Sequence, residues 1–223
     1  MTTAFSLSAY AASCGVADPE GFARRCDLLR EIIVETNRTM NLTRITEPDE
    51  FAVKHVADSL SIARMFPFLT VEYAKIADIG CGAGFPTLVL ALAFPNLKMT
   101  AIDSTGKKVA FVQRAAKELG LCNVEAIHGR SGELNHRSEY RHRFDVVTAR
   151  AVAAAPIIYL DACDFIKRKT GKFILYKTPQ QAAEDLPALE IACRKLSVEW
   201  HATDVFELPE NAGQRLFLYS VPK

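Results

Sequence analysis

The stretch Lys75-Ile76-Ala77-Asp78-Ile79-Gly80-Cys81-Gly82-Ala83-Gly84-Phe85-Pro86 constrains this chain more than any other. An apolar run breaks into three glycines at alternate positions and resumes after a proline, which reads as a strand, a tight turn and a helix N-terminus. Glycine permits backbone angles closed to other residues and lets a ligand approach the main chain. A strand ending in this pattern therefore predicts a binding loop for a nucleotide-like ligand. Pro86 suits a first helical turn, where its missing N–H costs nothing. A glycine-rich turn that only packs is the plainer alternative.

The flanking sequence supplies an architecture for the loop. Asp18-Pro19-Glu20 opens a helix on which Phe22, Cys26, Leu29 and Ile33 share a face, and the helix stops before the polar segment Asn37 to Thr43. Thr46-Glu47-Pro48-Asp49 caps a second helix that carries His55, Asp58 and Ser59 on one side. Residues 1–70 thus read as a helical N-terminal extension and residues 71–223 as alternating strands and helices. Beyond the loop come a helix from Pro86 to Phe94, a strand from Lys98 to Asp103, a helix from Ser104 to Gly120, and strands from Val124 to His128 and Phe144 to Ala149. A helix from Ala151 to Ile166, a strand from Phe173 to Tyr176, a helix from Pro179 to Leu196 and strands near Ser197 to Trp200 and Leu216 to Val221 complete the chain. This alternation predicts an α/β fold with a mostly parallel, doubly wound, Rossmann-like sheet.

The 27 Lys and Arg residues nearly balance 26 Asp and Glu, so binding to nucleic acid has to come from local patches. Six cysteines without a Cys-x-x-Cys pair argue against a zinc site or a disulfide framework, and no metal is expected. The start lacks a basic signal-peptide region, and the longest apolar run, Ala151 to Leu160, is too short to span a bilayer. A cytoplasmic monomer with no membrane partner is the expectation.

Asp103 ends the second strand, 19 residues after Gly84, where a carboxylate can accept both hydroxyls of a ribose. Capping the helix that starts at Ser104 is its other possible role. Gly-x-Gly-x-Gly followed by Phe85-Pro86 departs from the dinucleotide spacing. It suits S-adenosylmethionine, a ligand without phosphates, better than NAD, with Asp78 placed for the amino-acid end. Gly80, Gly82, Gly84, Phe85, Asp103 and Ser104 are then the cofactor cradle.

Asn41-Leu42-Thr43, His55 with Asp58-Ser59, the loop from Asp78 to Pro86, Asp103-Ser104-Thr105-Gly106-Lys107-Lys108, Ala149-Arg150-Ala151 and Gly213-Gln214-Arg215 follow one another along nearly the whole chain. In this series the chain resembles the ribosomal RNA small subunit methyltransferase G family, also called glucose-inhibited division protein B. The resemblance implies a class I S-adenosylmethionine-dependent methyltransferase acting on N7 of a guanine in a 16S rRNA loop near the decoding centre. Its partner would be 16S rRNA or the small subunit. Carried over by position, the family's cofactor contacts fall on Gly80, Phe85, Ser131, Gly132 and Arg150. Departures from the family pattern are Thr36 in place of tryptophan, Met40 in place of an aromatic residue, Thr87 and Thr178 in place of glycine, and Gly132 where an acid often stands.

Guanine N7 carries a free lone pair, so its methylation needs neither a general base nor a covalent nucleophile. In keeping with this, Thr148-Ala149-Arg150-Ala151 stands where an amino-group methyltransferase has Asp/Asn-Pro-Pro-aromatic, and no cysteine follows a proline. Asn41, His55 and Arg150 are candidates to orient the base. Their plainer roles are a turn residue, a structural histidine and a helix-start arginine. Lys107, Lys108, Arg141 and Arg143 are candidate RNA contacts, while Lys167-Arg168-Lys169 is expected at the opposite end of the sheet. Competing readings are a cofactor-binding RNA-binding protein without turnover, a small-molecule methyltransferase and an NAD-linked oxidoreductase.

Overall fold

Along β1 (Ala74–Ile79), Ile76 packs to one side with Leu88, Phe94 and Met99, while Ala77 and Ile79 pack to the other with Val147, Phe173 and Leu175. A two-residue alternation in which both faces are apolar buries a strand beneath helices on each side. The computed structural model describes residues 5–193 and 198–222. It adds β2 (Leu97–Asp103), β3 (Val124–His128), β4 (Val146–Arg150), β5 (Lys172–Lys177), β6 (Val198–Ala202), β7 (Phe206–Glu207) and β8 (Gln214–Pro222). The strand order is β3-β2-β1-β4-β5-β8-β6, with β7 also paired to β8. From β3 through β5 the pairing is parallel, and β8 runs antiparallel to its neighbours. The chain winds outward from β1 to β3 and returns to β4 on the other side of β1. That reversal opens a crevice at the C-terminal ends of β1 and β4, where open α/β sheets bind ligands.

Helices α1 (Leu7–Ser13) and α2 (Pro19–Asn37) lead into a continuous helical run made of α3 (Pro48–Phe51), a π-helical turn (Ala52–Ala57) and α4 (Asp58–Met65), followed by α5 (Phe68–Val71). Asp18 caps α2 by accepting the Gly21 N–H, and the expected face of Phe22, Cys26, Leu29 and Ile33 is buried. These side chains join the same apolar cluster as Ile76 and Leu88 on the sheet. Polar ties add to the packing: Arg25 donates to the Leu119 carbonyl, and Thr36, in the tryptophan's place, accepts from Arg114 Nη2. The sheet carries α6 (Thr87–Ala93), α7 (Gly106–Glu118), α8 (Ser131–Leu134), α9 (Ala155–Ala162) and α10 (Pro179–Ala192).

Two expected elements shift. Pro86 stands immediately before α6 rather than inside its first turn. The helix expected from Ala151 begins instead at Ala155, because Pro156 has to sit in the first turn and Ala151 takes a left-handed backbone, φ +55°. Residues 151–154 form an open loop, and the helix gives way at Cys163–Phe165 to a 3-10 turn. The ends assigned to Leu196 and Ser197 lie outside the described residues. Among the described residues no helix is long and apolar enough to cross a membrane, and no disulfide forms.

Candidate functional site

The glycine loop caps β1 at the reversal of strand order. Gly80, Gly82 and Gly84 all have positive φ, from +55° to +87°, the region in which side chains other than glycine are strained. Their surroundings differ. Gly80 lines a cleft of about 590 Å³. A Cβ on Gly80 would come within 2.5 Å of a Val152 methyl, and Val152 lines the same cleft. A Cβ on buried Gly84 would instead strike Leu88, so this glycine lets the loop pack on α6. Gly82 donates its N–H to Asp103 Oδ2 at 3.0 Å, and Thr105 N donates to Oδ1 at 2.8 Å. Asp103 therefore clasps the loop and the entry to α7 at once, and each oxygen keeps a lone pair for a further donor. Ser104, Lys108, Ser131 and Gly132 line the same cleft.

Asp78 is completely buried beneath the loop. Thr87 donates to its Oδ2 at 2.6 Å, while Oδ1 has no partner. Burial lifts its carboxyl to about 7, with the Thr87 hydrogen bond opposing the rise. A folded pKa above the unfolded one means that the contribution to stability is whole below about pH 4 and is lost as pH rises to about 7. The expected result is that, between about pH 5 and pH 8, the ligand-free protein loses several degrees of melting temperature relative to Asp78→Asn. Thermal melts of both proteins at the two pH values check this.

Across the crevice, Arg150 ends β4 and reaches into the π-helical turn. Its Nη1 lies 3.1 Å from Asp58 Oδ2 and 3.4 and 3.5 Å from the Lys54 and His55 carbonyls, and Nη2 donates to His55 Nδ1 at 3.3 Å. Arg215, from β8, donates through Nε to the other Asp58 oxygen at 3.1 Å. One carboxylate, 5% exposed, thus holds two arginines. Because arginine only donates, His55 Nδ1 accepts and Nε2 carries the hydrogen, given to Thr43 Oγ1 at 2.8 Å. The imidazole stacks on Phe85 at 4.2 Å, and the Arg150 guanidinium lies over that same ring. Burial, and secondarily Arg150, push His55 down to about 3, so it is neutral at ordinary pH. Thr43 is presented by Asn37, whose side chain binds the Leu42 N–H and the Thr43 carbonyl.

The Arg150 cluster floors a second cleft of about 430 Å³, with Lys54, Tyr176 and Arg215 in its walls. The two clefts share Ala151. Asn41 is exposed on the turn that holds Thr43. Lys107 is exposed beside Lys108 in the first turn of α7. Arg141 and Arg143 fall at the far end of the sheet, because they precede β4 whereas Arg150 ends it. Arg141 pairs there with Asp164, and Arg143 lines a separate cleft with Lys75 and Lys98. Lys167 pairs with Asp145 at that same end. Arg215, Val152 and Asp161 are site residues to which the sequence assigns no role of their own: Arg215 comes from β8, Val152 from the loop after β4 and Asp161 from α9, each away from the motif it meets.

A glycine loop clasped by an acid at the switch point of such a sheet defines a Rossmann-like class I methyltransferase fold. Solved structures agree at the level of the fold. An O-methyltransferase from Bacillus cereus in complex with SAH matches with TM-score 0.60 and 15% identity over 88% of this chain and 91% of that one. Aeropyrum pernix fibrillarin with natively bound S-adenosyl-L-methionine matches with TM-score 0.52 and 13% identity over 67% of each chain. The chain belongs to the rRNA small subunit methyltransferase G family, whose profile matches residues 24–212. Ribosomal RNA small subunit methyltransferase G of Brevibacillus brevis is 39% identical over 92% of this chain and 84% of its own length. The Limosilactobacillus reuteri protein of the same name is 40% identical over 83% and 76%.

Proposed function

We infer that the protein transfers a methyl group from S-adenosylmethionine to N7 of a guanine in small-subunit ribosomal RNA, acting as a cytoplasmic monomer. The observation that carries this reading is the pair of clefts meeting at Ala151, one fitted for the cofactor and the other lined by Lys54, Arg150 and Arg215. The residues fit the cofactor: Asp103 retains lone pairs for ribose hydroxyls, Gly80 leaves the room a side chain would fill, and Asp78 Oδ1 is a buried acceptor without a donor. Arg150 keeps its Nε–H and one Nη2 hydrogen for a carboxylate or a base. When bound, S-adenosylmethionine supplies a sulfonium methyl as electrophile.

The chain's own groups then align and exclude water rather than move protons. His55 has both nitrogens engaged and a depressed pKa, which makes it a poor base. An acceptor nitrogen that already holds a lone pair is the nucleophile such a site serves. Stacked Phe85 and the Arg150 fork instead give a rigid wall beside the β4 end.

RNA docks on the cationic rim of the two clefts. Lys108 and Arg130 line the cofactor cleft, Lys107 is exposed beside Lys108, and none of the three forms an ion pair among the described residues. The double variant Lys107→Ala/Lys108→Ala is expected to weaken RNA binding about tenfold and to flatten the slope of affinity against salt by about 1.5 to 2. Arg141→Ala/Arg143→Ala should leave that slope unchanged in the same titration.

Methyl-labelled cofactor, incubated with small subunits carrying undermethylated rRNA, tests the reading. Label in the RNA supports it. Label only in small acceptors points to a small-molecule methyltransferase, and cofactor and RNA binding without transfer points to a sensor.

A further inference from the structure

We propose that Asp161 reads the adenine ring of the cofactor and sets its preference for an amino group at purine C6. The proposal rests on the cofactor-cleft reading above. Asp103 fixes the ribose, while Asp78 and Arg150 mark the amino-acid end on the β1 and β4 side. The base therefore extends the other way, past the end of β2 toward the end of β3, where Ser131, Gly132 and Asp161 line the cleft.

Asp161 reaches this point from α9, across the crevice from α8. A Cβ built on Gly132 would lie 3.2 Å from Asp161 Oδ1 and 3.5 Å from its Cγ. The carboxylate thus stands over the Gly132 backbone, against the space a side chain at that position would enter. It makes no hydrogen bond or ion pair with any described residue, so both oxygens remain acceptors. The Gly132 N–H is likewise not taken up by a carbonyl. Adenine presents a donor at N6 beside an acceptor at N1, which a carboxylate and a backbone N–H complement. Ile102 and Val152, in the same cleft, offer apolar faces to the ring. Glu133 is the other acid at this end, but it follows Gly132 on α8 and nothing places its carboxylate over that backbone.

Calorimetric titration of the full chain with S-adenosylhomocysteine and with S-inosylhomocysteine, which carries oxygen in place of the amino group, decides the matter. The wild-type protein should prefer the adenosyl ligand by about tenfold or more, because an oxygen facing the carboxylate leaves both unpaired. Asp161→Ala should bind the adenosyl ligand about tenfold more weakly and narrow the preference to about twofold, while Glu133→Ala keeps it. Asp161 is exposed, so the variant folds, and an unchanged melting temperature accompanies the altered preference. A preference retained in Asp161→Ala, or lost only in Glu133→Ala, overturns the assignment and leaves the cofactor cleft standing. Failure of the wild-type protein to bind S-adenosylhomocysteine overturns the cofactor reading itself.

Discussion

Gly80→Val is expected to abolish methyl transfer in a protein that still folds. Two effects combine at this position. Backbone φ is +69°, where a β-branched residue is strained by about 2 kcal/mol, and the new Cβ would meet Val152 at 2.5 Å. Val152 is half exposed on an open loop, so it moves aside and the sheet is spared. Both side chains then occupy the cofactor's room. Affinity for S-adenosylhomocysteine should fall by about a hundredfold or more, with the melting temperature down by roughly 4–8 °C. Gly120→Ala is the control, since it imposes the same kind of strain, φ +65°, with nothing within 4 Å of the added carbon and no part in the cleft. It should cost stability alone.

Arg150→Ala should lower methyl transfer roughly a thousandfold and destabilise the fold by about 3 kcal/mol. The variant leaves Asp58, nearly buried, with Arg215 as its remaining cation, and it frees two carbonyls and the His55 Nδ1 acceptor. Removing one partner from a buried ionic cluster is costly because the charge left behind stays out of water. Arg150→Lys separates the contributions. A lysine restores the charge but not the planar fork, so part of the stability returns while activity stays within about tenfold of the alanine variant. Paired measurements of kcat and Tm on the two variants check this. Activity above about a tenth of wild type in Arg150→Ala would remove this arginine from the account.

How far the site was legible follows from where its parts lie along the chain. The glycine loop, the acid ending β2, and the shared side of His55 and Asp58 are local patterns, fixed by strand and helix periodicity, and each was readable. What joins them was not. Arg215 meets Asp58 across 157 positions and Arg150 meets it across 92, and no periodicity encodes a pairing between β8, β4 and a helix. The π-helical turn that opens carbonyls to Arg150 has no residue signature. Ala151 to Leu160 reads as buried helix because it is apolar, yet its first four residues form an open loop whose Ala151 lines both clefts. Pro156 was the available signal for the later start. Arg141 and Arg143 show the converse limit: they are only a few residues before Arg150, but a parallel strand separates them by its full length.

The most direct measurement identifies the methylated atom. Small subunits with undermethylated rRNA are incubated with the protein and S-adenosylmethionine, and the extracted RNA is treated with borohydride and then aniline, which break the chain at 7-methylguanosine. A new break is expected at one guanine of the small-subunit RNA, absent when Gly80→Val replaces the wild-type protein. Methyl groups incorporated without such a break would place the product on another atom and contradict a site built around a nucleophile that needs no base.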